Sequence, residues 1–182
     1  MISKAMDLSR VEVSSQRLSL KGFSPEDARE VLAAVTPAIT RFMGFEPSPS
    51  LDAFEQIWQG WLPLMRSGTD AHFVVHARSS REFLGVIGFH EIADNEPKIG
   101  IWIKEAAHGS GFGREAVAAL ISFAASALGK KAVLYPVVEN NHPSRHLAES
   151  LGGIIAGRRL LRKADGIEHP EVIYRIPAAN MN

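Results

Sequence analysis

The sequence predicts a mixed α/β fold in which helices pack on both faces of a mostly antiparallel sheet that contains one parallel pair of strands. Three observations favour this fold class. Ile99, Ile101 and Ile103 alternate with other residues as in a strand, and helical spacing begins after a glycine-rich turn. Two alternating segments separated by polar turns precede this unit, which indicates a meander. An apolar segment at 132–138 follows the helix, and a strand joined through a helix lies parallel to the first.

The N-terminal part is predicted to contain one strand and one helix. The strand covers residues 17–21, where apolar and polar residues alternate, and Val11 and Val13 extend it. The helix begins at Ser24, because serine is a favoured N-cap and a proline and two acids follow it. It ends before Pro37, and the segment after Pro37 is broken by proline and glycine.

A second helix is expected to begin at Ser50, and it carries an apolar stripe at helical spacing. The stripe consists of Phe54, Ile57, Trp58, Trp61 and Leu62. After a polar turn, strands at 72–78 and 83–92 are expected to pair as a hairpin. A further turn at 94–97 leads into the central strand with its three isoleucines, which should lie antiparallel to the strand before it.

The segment at 132–138 is nearly all apolar, as expected of a buried strand. Pro136 is unusual in such a strand because it has no N–H to donate to a neighbouring strand, and it would be tolerated if the two neighbouring strands separated at that point. The elements expected after this strand are a helix at 141–152 and two strands at 154–161 and 168–176, joined by the hairpin dipeptide Asp165-Gly166.

A glycine-rich turn, His108-Gly109-Ser110-Gly111-Phe112-Gly113, joins the central strand to the helix that follows. Its glycines let the backbone bend and approach a ligand with no Cβ in the way. Such a turn directs several unpaired N–H groups and the positive end of the helix dipole toward one place. An anion, most often a phosphate, is therefore the expected occupant. A turn that binds nothing is the alternative.

The composition is that of an ordinary globular protein, with 46% hydrophobic and 22% charged residues, and one domain spanning 1–182 with a core at about 11–177 is expected. The formal net charge of zero argues against a general binder of nucleic acid or of anionic membranes. Cysteine is absent, which rules out disulfides and thiolate nucleophiles. No apolar segment approaches the length of a membrane span, and no signal core is evident. We therefore expect a cytoplasmic location.

Two motifs, in this order of elements, resemble the GNAT superfamily of N-acetyltransferases, in particular its branch of ribosomal-protein (RimJ/RimL-like) N-terminal acetyltransferases. The glycine-rich turn is similar to the pyrophosphate loop of the family, Gln/Arg-x-x-Gly-x-Gly/Ala, although it begins with His108. Asn141, Ser144 and Leu151-Gly152 are similar to the family's Asn-x-x-Ser at the start of a helix that ends in Leu-Gly. The resemblance covers residues 17–176.

The resemblance implies a GNAT-like fold that binds acetyl-CoA as co-substrate in a splayed gap between the parallel strands, with no metal. Loop N–H groups would hold the pyrophosphate, Asn141 the pantetheine arm, and Ser144 would protonate the departing thiolate. Helix capping is the alternative role for these two side chains. The cofactor-binding residues that the resemblance implies lie at the turn, the central strand or the second motif, and they are Ile101, Ile103, His108, Gly109, Ser110, Gly111, Phe112, Gly113, Arg114, Asn141 and Ser144.

The implied reaction is direct attack of an amine on the thioester in a ternary complex. At pH 7.4 a lysine amine of pKa about 10.4 is about 0.1% neutral, whereas an α-amine of pKa about 7.8 is about a quarter neutral, so an α-amine needs only a weak base. The branch often has Glu near the start of the central strand, where this sequence has Lys98. His90 and Glu91 are therefore the first candidates for the catalytic base, followed by His72 and His76.

Other functions fit parts of the sequence. A non-catalytic acyl-CoA-binding sensor fits the loss of the family Glu at Lys98. A Rossmann-type nucleotide-binding unit fits Gly109-x-Gly111, but such a unit normally opens a series of βα repeats. The sequence does not identify the acceptor amine, which is a protein N-terminus or a small molecule, and it leaves open the oligomeric state, a homodimer included. The tryptophans Trp58 and Trp61 fit either the wall of an acceptor cleft or the core.

Overall fold

The computed structural model describes residues 6–163 and 166–181, and within these residues eight strands form one sheet. The strands are β1 (Glu12–Ser14), β2 (Leu18–Gly22), β3 (Ala71–Ala77), β4 (Phe83–His90), β5 (Lys98–Ile103), β6 (Ala132–Val138), β7 (Ile154–Arg162) and β8 (Glu168–Pro177). The helices are α1 (Ala28–Ala34), α2 (Pro37–Thr40), α3 (Leu51–Ser67), α4 (Phe112–Leu128) and α5 (His142–Ser150). The order across the sheet is β1-β2-β3-β4-β5-β6-β8-β7, with β5 and β6 parallel and all other neighbours antiparallel. The predicted fold class is confirmed.

The N-terminal part differs from the prediction in two ways. Residues 11–21 form two paired strands and not one extended strand, because Ser15 closes a tight turn: its N–H donates to the Leu18 carbonyl at 2.9 Å and its Oγ accepts from the Leu18 N–H at 3.1 Å. The segment after Pro37 contains the single-turn helix α2, whose Ile39 N–H donates to the Thr36 side chain. A 3₁₀ turn at Pro25–Asp27 precedes α1.

The parallel pair β5 and β6 is joined at only one register position, Lys98 opposite Leu134, next to a hydrogen bond of 2.9 Å from the Leu134 N–H to the Pro97 carbonyl. Beyond this point β6 pairs with β8 along its whole length, while β5 pairs with β4. The two parallel strands therefore separate and leave a gap between them. Pro136 lies in the separated part of β6, as expected for a residue that has no N–H to donate.

Alternation along β4 and β5 assigns the helices to opposite faces of the sheet. The even-numbered residues Gly88 and Gly100 face a cavity that is also lined by α1 and α3. On the odd-numbered side, Ile103 lies against Gly113 at the start of α4. The buried side of α4 consists of Ala116, Val117, Leu120, Ile121 and Ala124. We call these the α1/α3 face and the α4/α5 face.

The C-terminal strands pair as the sequence predicted. β7 and β8 are antiparallel neighbours, and β8 separates β7 from β6. Asp165 of the predicted hairpin dipeptide lies outside the described residues, while the Gly166 N–H donates to the Lys163 carbonyl at 2.9 Å. Across residues 6–163 and 166–181, no helix combines the length and the apolar character that crossing a bilayer requires.

Candidate active site

The glycine-rich turn runs from His108 to the start of α4 and lies at the protein surface. Gly109 and Gly111 have φ angles of 76° and 77°, in the left-handed region that a residue with a Cβ rarely adopts. A Cβ built on Gly109 would meet no atom within 4 Å. Glycine is therefore needed at this position for the backbone conformation and not for lack of space.

Six consecutive backbone N–H groups of this turn, from Gly109 to Arg114, donate to no acceptor in the described part of the chain. Their neighbours are paired, since the His108 N–H donates to Glu105 and the Glu115 N–H to Gly111. Unpaired donors at the first turn of a 17-residue helix form an electropositive site suited to an anion.

Arg17 on the turn before β2 holds the loop from outside. Its Nε lies 2.6 Å from the Glu115 carboxylate, its guanidinium donates to the Ser110 carbonyl at 3.1 Å, and it stacks 4.6 Å from the centre of the Phe112 ring. Burial raises the pKa of Glu115, but hydrogen bonds from Ser15 and Arg17 outweigh it, so the net pKa lies below the ordinary value. The loop thus has a cation beside it that the sequence did not indicate.

Two polar side chains of the loop bond to the protein. The His108 Nε2 lies 2.7 Å from the Ile103 carbonyl, and because a carbonyl only accepts, Nε2 carries the hydrogen. The Arg114 Nε donates to the Ser150 Oγ at 3.1 Å, at the end of α5. The donors left for a ligand are therefore mainly those of the backbone.

The edge of β5 along the gap carries backbone groups without a strand partner. The Lys104 N–H donates to the Leu84 carbonyl of β4 at 2.7 Å, so by alternation the N–H and C=O of Ile101 and Ile103 point toward β6. The ladder between β5 and β6 has ended by then. His108 occupies one lone pair of the Ile103 carbonyl, and the polar groups of Ile101 face the gap.

Asn141, Ser144 and Tyr135 lie on the far side of the gap. The Asn141 Oδ1 accepts the Ser144 N–H at 3.3 Å and caps α5. The Ser144 Oγ lies 2.9 Å from the hydroxyl of Tyr135, which is buried on β6. Burial raises the pKa of Tyr135 to about 12 despite the hydrogen bond with Ser144, so the phenol stays protonated. The sequence signal for Tyr135 was a single polar tip in an otherwise apolar strand.

His90 lies on the α1/α3 face, at the end of β4. Its Nδ1 lies 3.0 Å from the Asp70 Oδ1, and its ring covers Gly88, where a Cβ would overlap Nε2. Gly100, directly opposite Gly88 on β5, has no atom within 4 Å of a built Cβ. Gly88 therefore leaves room for the imidazole of His90, and Gly100 leaves open space beside it.

His72 forms the wall next to His90. It stacks on Trp61, with ring centres 3.8 Å apart, and meets His90 edge-on at 5.2 Å. Burial, followed by the charge of His90, lowers the pKa of His72 to about 3, so this imidazole is neutral in the physiological range. Its Nδ1 is buried and has no hydrogen-bond partner in the described part of the chain.

A cavity of about 370 Å³ opens in front of these histidines. It is lined mainly by apolar side chains from α1, α3, the segment between α2 and α3, and the even-numbered positions of β4 and β5. The lining residues are Val31, Leu32, Val35, Met43, Phe45, Glu46, Ser48, Phe54, Ile57, Trp61, His72, Val86, Gly88, His90, Gly100 and Trp102. Trp61 thus borders the cavity, whereas Trp58 is buried in the core.

Comparison with known proteins decides the family. The model of the acetyltransferase (GNAT) domain matches residues 17–154. This chain belongs to the GNAT acetyltransferase family. The N-acetyltransferase YoaA of Bacillus subtilis (strain 168), itself uncharacterized, is 26% identical over 143 residues, which are 77% of this chain and 81% of that protein.

Solved structures of GNAT acetyltransferases have the same fold. RimL, a ribosomal alpha-N-protein acetyltransferase in complex with coenzyme A, superposes with a TM-score of 0.80 at 17% identity, covering 92% of this chain and 98% of that one. Spermidine N-acetyltransferase from Vibrio cholerae, in complex with coenzyme A and spermine, gives 0.78 at 18% identity, covering 92% and 99%. The Rossmann alternative is wrong, because the sheet of this GNAT acetyltransferase is mostly antiparallel and not a parallel series.

The two candidates for the catalytic base differ in their surroundings in this acetyltransferase. His90 borders the cavity, whereas Glu91 has a left-handed backbone (φ 54°) and its carboxylate binds the Lys98 Nζ at 2.6 Å. Glu91 is not among the lining residues. His76 lies away from the cavity, 3.7 Å from Glu30.

The histidines do not form a metal cluster in the part of this acetyltransferase that the structure describes. No three His, Asp or Glu residues there lie close enough to hold a metal ion. His142 and His146 stand one turn apart on α5, and both are exposed.

Proposed function

We propose that this protein transfers an acetyl group from acetyl-CoA to a primary amine by direct attack in a ternary complex. The observation that carries the proposal is that a surface suited to the cofactor and a cavity suited to an acceptor meet at the same gap. The unpaired amides at the start of α4 suit a diphosphate, the edge of β5 suits the pantetheine amides, and the cavity with His90 opens on the other face at Gly100.

On the α4/α5 face, the N–H groups of Gly109 to Arg114 would hold the diphosphate. The backbone of Ile101, and the N–H of Ile103, would bond the pantetheine arm in the gap. Pairing of Lys98 with Leu134 places Pro136 level with Gly100, so an arm in the gap has its far end beside the floor of the cavity. Asn141 would contact the arm near its thioester end.

On the α1/α3 face, an amine above Gly100 would approach the thioester from the cavity. The His90 Nε2 would accept a proton from the attacking nitrogen, and Asp70 at Nδ1 would orient the ring and stabilise the imidazolium that forms. Among the described residues that border the cavity, His90 is the one whose second ring nitrogen is held by a carboxylate. This contact favours it over Glu91 as the base.

The bond changes follow from these positions. The amine nitrogen attacks the thioester carbon, the C–N bond forms, and a backbone N–H of β5 stabilises the oxyanion. The C–S bond then breaks, and the departing thiolate, with a thiol pKa near 8.5, would take a proton from the Ser144 hydroxyl, which accepts a hydrogen bond from Tyr135 and regains its proton from solvent, so that both hydroxyl groups end neutral. Because the Tyr135 phenol stays protonated, it can keep the Ser144 hydrogen directed toward the sulfur.

Calorimetric titration with acetyl-CoA and turnover with a panel of amines test the proposal. The protein has no cysteine, so the thiol of released CoA can be measured without background from the protein. We expect acetyl-CoA to bind and at least one amine to be acetylated. Failure of acetyl-CoA to bind overturns the proposal, and binding without turnover of any amine supports the non-catalytic sensor instead.

A further inference from the structure

The cavity in front of His90 has a chemical character of its own. Ten of its lining residues are apolar: Val31, Leu32, Val35, Met43, Phe45, Phe54, Ile57, Trp61, Val86 and Trp102. Glu46 is the one carboxylate among the described lining residues, and the Lys163 Nζ binds it at 2.9 Å. Asp70, which is not in the lining, binds His90.

A polyamine would enter this cavity at a cost. Its ammonium groups remote from the reacting nitrogen would lose water, and the described walls offer no unpaired carboxylate to replace it. Among the described lining residues, the buried side-chain nitrogen that has no hydrogen-bond partner is the His72 Nδ1, which belongs to a neutral imidazole. The cavity therefore offers polar partners, His72 and His90, to one amine group, and it offers no partner to a second charged group.

The mouth of the cavity leaves apolar surface open to water. Phe45 and Ile57 both line the cavity and are 41% and 48% exposed. A volume of about 370 Å³ lies at the lower end of the range of about 300–1,000 Å³ that small-molecule sites have. An apolar group of modest size would bury these surfaces and fill the space.

We infer that the acceptor is a primary amine carried on a single apolar group about the size of a phenylalanine side chain, with no second charge. This inference rests on the proposed acetyl transfer and adds the chemistry of its acceptor. The same chemistry belongs to a free arylalkylamine and to an N-terminal residue with an apolar side chain, and the arms of one experiment separate these two sources.

The experiment compares kcat/KM for 2-phenylethylamine, phenylalaninamide, a dipeptide amide that begins with phenylalanine, ethanolamine and spermidine. We expect the three phenyl-bearing amines to exceed ethanolamine and spermidine by about 10- to 100-fold, as burial of one large apolar group allows. A better rate for the dipeptide amide assigns a polypeptide N-terminus, and a better rate for 2-phenylethylamine assigns a free amine. Ethanolamine or spermidine as the best acceptor overturns the inference.

A pair of variants on one helix gives a second test. Ile57→Asp adds a carboxylate at the exposed wall of the cavity, and Leu64→Asp adds the same group two turns along α3 at a residue that is 43% exposed and lies outside the cavity lining. We expect Ile57→Asp to lower kcat/KM for 2-phenylethylamine about tenfold and to raise that for spermidine, and Leu64→Asp to change neither. Equal effects of the two variants would contradict the inference.

Failure of the inference is distinguishable from failure of the proposed function. If acetyl-CoA binds and no amine is acetylated, acetyl transfer itself is wrong. If charged or polar amines are acetylated faster, acetyl transfer stands and the apolar acceptor is wrong. Circular dichroism of both variants checks that they fold.

Discussion

The two faces of the sheet present different kinds of polar groups at the same gap. On the α4/α5 face the donors are six consecutive backbone N–H groups, supplied by one short segment of the chain. On the α1/α3 face the polar groups are side chains: Asp70 just before β3, His72 at the start of β3, and His90 at the end of β4, 18 to 20 residues away. Backbone recognition depends on glycine and is local in sequence, whereas side-chain recognition depends on strand pairing.

The largest expected effect is a loss of catalysis on the α1/α3 face with no change in cofactor binding on the α4/α5 face. His90→Gln should lower kcat about 10²- to 10⁴-fold, because it removes the group that accepts the proton, while the dissociation constant for acetyl-CoA should stay the same. Steady-state kinetics and calorimetry measure the two quantities. His76→Gln, on a histidine outside the cavity, serves as the control and should keep full activity. An equal loss in both variants would exclude His90 as the base.

A smaller effect is expected from substitution of Gly88, which lies beneath the ring of His90. Gly88→Ala places a Cβ where the His90 Nε2 lies, so the ring must move. We expect kcat to fall about 10- to 100-fold with little change in the thermal unfolding temperature, since the end of a side chain can shift at low cost. Retention of full activity would show that the observed position of the ring is not needed for catalysis.

A third pair of variants tests each face of the sheet separately. Gly109→Ala forces a residue with a Cβ into the left-handed region, which costs about 1–2 kcal/mol, so we expect the dissociation constant for acetyl-CoA to rise about tenfold. Gly100→Ala adds a Cβ into open space at the floor of the cavity and should raise KM for the amine without affecting acetyl-CoA. Calorimetry and amine kinetics on both variants would contradict the division if each variant changed both constants.

The smallest effect at neutral pH concerns stability. Because the pKa of His72 is lowered to about 3 in the folded protein, the unfolded state binds this proton first as the pH falls below about 6.5. The free energy of unfolding should therefore decrease toward pH 4, by up to about 1.4 kcal/mol per pH unit from this residue. His72→Leu should remove that part of the slope in urea unfolding between pH 6 and 4. His142→Gln, on an exposed helix surface, should keep it.

The elements that the sequence predicted best are those with local signals. Gly129 ends α4 in the left-handed conformation, and the run of glycines between β5 and α4 marked the unpaired amides. The gap was implied by the family resemblance, and Pro136 was compatible with it. By contrast, the separate strands β1 and β2 were missed, because the turn at Ser15 has neither glycine nor proline to mark it.

The parts of the site that sequence reasoning missed are contacts between distant residues. Arg17 and Glu115 are 98 positions apart and meet beneath the loop. The bond between Asp70 and His90 depends on the antiparallel register of β3 and β4, which periodicity does not define. One local signal was available, since a glycine two positions before a histidine on a strand leaves the same face clear for the ring.

The gap between β5 and β6 is an internal edge of the sheet, and unpaired edges attract foreign strands. Here α4 packs against both strands and covers one side of the opening. With that side covered, the polar rim of the gap still needs hydrogen-bond partners from a molecule that enters between the strands. The gap therefore favours a slender molecule with amide groups spaced along its length.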